Sequence, residues 1–267
     1  MVDILQYSFF QNALLGSLLA SILCGLVGTY IVTRRLVFIS GGLTHASFGG
    51  VGLGVFFGFN PIFSAMIFTV LSALGVQWLS TRNDMREDSA IAVFWTLGMS
   101  LGVIFCFLSP SFMPDLSSYL FGNILTITNT DLISLAVLTL IALVVFTVWY
   151  RPVMYLAFDK EFARSQGIPV AIMEYLLLAF IALTIVSCLR MVGIVLVISL
   201  LTIPQSTANL FTFSYKKIML YSVLIGYLSC LGGLFMSYYL NVPSGASIIL
   251  ISVLIYMISK IYVLLSK

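Results

Sequence analysis

Nine apolar runs, each long enough to cross a bilayer, follow one another along this chain with very few charges inside them. A membrane-spanning helix needs about 20 predominantly apolar residues at 1.5 Å of rise each. The runs 12–33, 37–58, 61–80, 89–109, 131–150, 169–188, 191–212, 218–239 and 246–264 meet that length. Composition enters only to close the alternative. Hydrophobic residues make up 61% of the chain and charged ones 8%, against about 25% charged in an ordinary soluble domain. Twelve basic and nine acidic residues among 267 cannot clothe a water-facing surface. The expectation is an all-α, polytopic transmembrane helical bundle of about eight or nine spans. The connections are short, the longest being 110–130 and 151–168, so residues 1–267 read as a single transmembrane domain.

The few charges set the orientation. Cytoplasmic connections are enriched in Lys and Arg. With nine spans and the N-terminus outside, eleven basic residues fall inside: Arg34, Arg35, Arg82, Arg86, Arg151, Lys160, Arg164, Lys216, Lys217, Lys260 and Lys267. Arg190 alone falls outside, with the acidic Asp115 and Asp131. Residues 1–10 hold no Lys or Arg, and the first apolar run is long enough to span, so the pattern is not that of a cleavable signal peptide. The net charge of +3 is small and does not point to a nucleic-acid partner. Cys24, Cys106, Cys188 and Cys230 are scattered through apolar runs without a CxxC, as buried hydrophobes would be, and no disulfide is expected.

Ionisable groups inside a membrane are costly and are candidate functional residues by default. His45 is the one histidine of the chain. At helical spacing Gly42, His45, Gly49 and Gly52 share a face, with Gly41 beside them. Such a face is either a close-packing seam, because small residues let membrane helices approach, or the lining of a path with one metal-competent ligand. Glu174, inside the sixth run, either pairs with a basic residue of a nearby connection or serves transport. Asp88 opens the fourth run, where a carboxylate favours a helix N-terminus. Pro204 interrupts the seventh run, and the polar residues after it either satisfy the freed carbonyl or line a cavity. Residues 157–166 read as a short amphipathic helix in a cytoplasmic connection, stopped by Gly167 and Pro169, which lies on lipid or docks on a partner.

No Gly-rich phosphate loop, HExxH or GxSxG appears, so the energy for any pumping comes from a partner or an ion gradient. A gradient-driven carrier would show more intramembrane carboxylates. An intramembrane enzyme would need a nucleophile and base, or a metal cluster, that one histidine does not supply.

Four blocks resemble the permease subunit of the bacterial zinc, manganese and iron ABC importers, the ABC-3 family. They are Arg34–Arg35–Leu36–Val37–Phe38 running into Leu43–Thr44–His45–Ala46–Ser47–Phe48–Gly49–Gly50; Arg86–Glu87–Asp88–Ser89–Ala90–Ile91; Asp159 to Gly167; and Arg190–Met191–Val192–Gly193 through Leu200 to Pro204. They occur in the family's order and span most of the chain. The resemblance implies a permease of the inner membrane of a bacterium, itself no enzyme, working as a homodimer with a separate ABC ATPase and an extracytoplasmic metal-binding protein. It implies a divalent metal as transported substrate, with no permanently bound cofactor. It places His45 in the metal path, and Asp159, Glu161, Ala163 and Gly167 in the loop that meets the ATPase. Many members carry an acid one helical turn before this histidine, where this chain has Gly41. Gln205 stands where a small residue is common.

Overall fold

The computed structural model describes residues 7–82, 85–109, 124 and 127–266, with the side chains of Arg190 and Met191 left aside. The elements in order are α1 (Ser8–Thr33), α2 (Val37–Phe57), α3 (Pro61–Arg82), α4 (Glu87–Leu108), α5 (Asn129–Val148), α6 (Tyr150–Phe158) and α7 (Lys160–Ser165). A helical run Val170–Phe211 follows, broken at Gly193, whose φ of 75° and ψ of 166° are not helical. Its limbs are α8 (Val170–Leu189) and α9 (Val192–Phe211). Then come α10 (Tyr215–Leu240) and α11 (Ser244–Leu265).

Eight of these helices are long and apolar enough to cross a membrane: α1, α3, α4, α5, α8, α9, α10 and α11. They match the apolar runs of the sequence to within a few residues. The remaining run, α2, has 21 residues but is diluted by six glycines, two serines, a threonine and His45. It tolerates that composition because thirteen of its 21 residues are buried, screened from lipid by α3, α4 and the Val170–Phe211 run. Glycine makes the screening close. A Cβ on Gly49 would stand 2.9 Å from the Gly98 carbonyl oxygen, and one on Gly52 2.6 Å from that of Gly102, both on α4. A Cβ on Gly50 would meet Ala65 Cα of α3 at 2.6 Å. The glycine face containing Gly49 and Gly52 is therefore a packing seam against α4, which settles the first of the two alternatives for those residues.

The core is built around α1 and the Val170–Phe211 run, with α5 and α10 against α1. Leu23, Ile31, Ile181, Ile185 and Leu196 are fully buried there. Many hydroxyls in the spans are satisfied locally: Ser17 donates to Ala13 O and Thr29 to Gly25 O, each one turn back. The four cysteines are buried and free, as expected. Three of them are not scattered in space. Cys24 and Cys188 Sγ stand 3.9 Å apart, and Cys230 Sγ lies 3.8 Å from Ser21 Oγ. Asp115 and Lys267, both used for orientation, lie outside the described residues.

The connection 151–168 differs from its expected form. One amphipathic helix over 157–166 is replaced by two short helices, α6 and α7. Asp159 is extended (φ −150°, ψ 115°) and breaks the run. Its carboxylate accepts the amide hydrogens of Glu161 at 2.8 Å and Phe162 at 3.2 Å, so it caps α7 instead of lying within a helix. Pro152 falls in the first turn of α6, where no intrahelical donor is needed.

Candidate functional site

His45 lies eight residues into α2, about 12 Å from its start at 1.5 Å per residue. Its ring stacks on Trp95 of α4, with centroids 4.7 Å apart and planes 3° from parallel. Phe38, also on α2, lies tilted against the same indole, with centroids 5.8 Å apart. The imidazole is half-buried, and its Nδ1 is buried without a hydrogen-bond partner among the described residues. A buried polar atom normally finds a partner, so this nitrogen is a lone donor or acceptor held within the bundle. Beside it, Gly41 leaves room: the nearest atom to a Cβ there is Ile198 Cδ1 at 3.9 Å. No three His, Cys, Asp or Glu side chains gather around a common point among the described residues. Among the described residues the setting is a single imidazole against Trp95, with open space at Gly41.

A second polar centre lies at the end of the bundle where α2 begins. Glu174 of α8 receives Arg34 at 3.2 Å, the Lys160 ammonium, and the Gln77 side-chain amide at 3.0 Å. Its side chain is 12% exposed, so the carboxylate is largely cut off from water. Glu87 of α4 lines the same small cavity. Three of the motif blocks thus converge: Arg34 from the first, Glu87 from the second and Lys160 from the third. The pairing role for Glu174 is the one observed. Asp88 is exposed in the first turn of α4, where Arg86 makes no side-chain cap, so its contribution is electrostatic.

The residues of the Asp159–Gly167 segment divide by role. Asp159 caps α7. Ala163 is fully buried and seats the helix on the bundle. Gly167 takes φ +76°, the left-handed conformation that glycine adopts freely. Its amide donates to Arg164 O and that of Ile168 to Ala163 O, a Schellman termination of α7. Glu161, bridged to Arg164 at 2.6 Å, and Phe162, 46% exposed, form the outward face.

At Pro204 the helix runs on, and the polar side chain that follows is the answer to the lost amide. Pro204 cannot donate to Leu200 O, and Gln205 Nε2 does so at 3.0 Å, while also reaching Cys24 O of α1 at 2.8 Å. Gln205 is fully buried, and a small residue in its place would be too short to reach both carbonyls.

A family model described as the ABC 3 transport family matches residues 6–263 of this chain. The chain belongs to the ABC 3 transport family. It is 40% identical to an uncharacterized membrane protein of Synechocystis sp., over 97% of this chain and 92% of that protein. It is 33% identical to the manganese transport system membrane protein MntC of Halalkalibacterium halodurans, over 94% of this chain and 86% of that one. Among solved structures it is similar to PsaBC from Streptococcus pneumoniae in complex with Fab, with a TM-score of 0.86 and 29% identity over 97% of this chain and 93% of that one. The expectation of an ABC-type metal-importer permease is borne out by these matches. Sequence reasoning missed two features of this ABC 3 permease, the Trp95 stack on His45 and the meeting of three motif blocks at Glu174. Neither leaves a local signal, because Trp95 lies 50 positions from His45 and Glu174 lies 140 from Arg34 and 97 from Gln77, and they are joined only by folding.

Proposed function

We propose that two copies of this chain line the path by which a divalent metal ion, manganese, enters a bacterial cell at the expense of ATP hydrolysed on a separate ATPase. The observation that carries the proposal is His45: an imidazole at membrane depth, half-buried, with one buried nitrogen unpartnered. A polar group on the side of a single bundle would face hydrocarbon at a cost, and a second copy against α2 and α4 gives it a protein-lined surround. The manganese names of relatives such as MntC support the choice of cargo. Manganese prefers oxygen ligands over imidazole, so a lone histidine binds it weakly and releases it quickly. An extracytoplasmic metal-binding protein delivers the ion on the side away from Arg34, Lys160 and Glu87. The ATPase docks on the outward face of α7, with Asp159 and Ala163 holding the helix, Glu161 presented outward, and Gly167 closing it.

The gradient-driven alternative loses its best carboxylate, since Glu174 is occupied by two cations and an amide. The test is reconstitution of the permease with its ATPase and delivery protein in vesicles, following manganese entry on ATP addition. ATP-independent entry driven by an imposed ion gradient would refute the reading. In the same preparation, Gly167→Val is expected to release the ATPase on size-exclusion chromatography while the permease remains folded.

A further inference from the structure

We infer that Glu174 is a positioning residue that ties α7 to the helix carrying His45, so that a displacement of α7 is passed to α2. The inference rests on the importer reading above, in which α7 meets the ATPase. Lys160 is the first residue of α7, and its ammonium is on the Glu174 carboxylate. Arg34 closes α1 and holds the same carboxylate at 3.2 Å. Only Arg35 and Leu36 separate Arg34 from Val37, where α2 starts.

That link is stiff. The Arg35 amide donates to Val32 O and that of Leu36 to Ile31 O, closing the end of α1. Arg35 is held at φ 61°, a left-handed conformation that non-glycine residues rarely adopt. An arginine kept there by the surrounding bonds is a turn fixed in one shape. The carboxylate that joins the two cations is 12% exposed, and Gln77 of α3 fixes its second oxygen at 3.0 Å. Withdrawing Lys160 from it removes one of its two cations at a carboxylate that little water reaches, so a displacement of Lys160 is felt by the carboxylate and by the Arg34 bound to it. Motion of α7 and of the α1–α2 turn is thereby linked through one side chain, and the turn opens directly into the helix of His45.

Lys160 offers the cleaner variant, because it is the more exposed partner and its loss leaves Glu174 paired with Arg34. In vesicles holding permease, ATPase and delivery protein, the readout is manganese imported per ATP hydrolysed. Lys160→Met and Glu174→Gln are each expected to lower that ratio by about fivefold or more, the low end of coupling between sites. Lys160→Arg restores it, and the double variant is no worse than either single one. ATPase co-purification and thermal midpoint stay near the parent's for Lys160→Met. A parental import ratio in Lys160→Met, or a fall explained wholly by loss of bound ATPase, overturns the tie. If Glu174→Gln does not fold, the Lys160→Met and Lys160→Arg pair decides alone. The parent complex run alongside separates the two readings: absence of ATP-driven manganese entry there overturns the importer reading itself, and the tie with it.

Discussion

Replacing Gly98 by alanine should force α4 away from α2 and disturb the His45 stack at a distance. A Cβ on Gly98 would lie 2.5 Å from Ala46 O and 2.6 Å from Ala46 Cα. Both are backbone atoms of the facing helix, so no side chain can swing aside. Ordinary contact begins at 3.4 Å, which leaves the helices to separate by about 0.9 Å. Overpacking of this kind costs about 1–3 kcal/mol. At about 2–4 °C per kcal/mol for a chain of 150–250 residues, the thermal midpoint falls by roughly 2–12 °C. Trp95 sits three residues before Gly98, so the same separation lifts the indole from His45, and a misplacement of about 1 Å near a site can cost up to about a hundredfold in rate. Gly226→Ala is the control, because its Cβ meets nothing nearer than Ser21 Cβ at 3.6 Å and its φ is helical. Melting curves by size-exclusion fluorescence in detergent, with manganese uptake in vesicles, measure both effects. If Gly98→Ala melts and transports like Gly226→Ala, the seam between α2 and α4 is not as close as described and the argument from it fails.

Gln205→Leu keeps the volume but strips Leu200 O and Cys24 O of a donor, and a loss of about 1–3 kcal/mol in detergent melting is expected; a neutral result would mean Gln205 does not make up for the amide missing at Pro204. Gly41→Asp fits the open space beside Ile198 and places a carboxylate one turn from His45, so manganese should bind more tightly by calorimetry and leave more slowly; unchanged affinity would separate residue 41 from the path. A cysteine at Lys216 in a cysteine-free chain should resist an impermeant thiol reagent in intact cells, and labelling there would reverse the orientation read from the charges.

The spans were legible in the sequence because hydrocarbon demands about 20 apolar residues whatever the tertiary structure. Even α2 was found by length, although its glycines and His45 lower its hydropathy. The Gly167 stop was legible because a left-handed residue at a helix end is a local requirement, and the structure bears it out at φ +76°. The break at Asp159 was not, since an aspartate is compatible with both a helix interior and a cap, and only the folded backbone shows its carboxylate on the Glu161 and Phe162 amides. The choice between seam and lining for the glycine face required knowing that Gly98 and Gly102 stand opposite it. Gln205 looked like an anomaly until Leu200 O and Cys24 O, 5 and 181 positions away, were found on its amide.

His45→Gln tests the central claim most directly. Glutamine keeps similar bulk and hydrogen-bonding capacity but is a poor metal ligand, so it removes ligation and little else. In vesicles with ATPase and delivery protein, initial manganese uptake should fall by at least about tenfold, since even groups that only orient a metal ligand are worth about 10–100-fold in affinity or activity. Permease abundance and ATPase association should hold at the parent's level. Uptake by His45→Gln equal to the parent's would make the residue a packing element beside Trp95 and would contradict the account of the metal path.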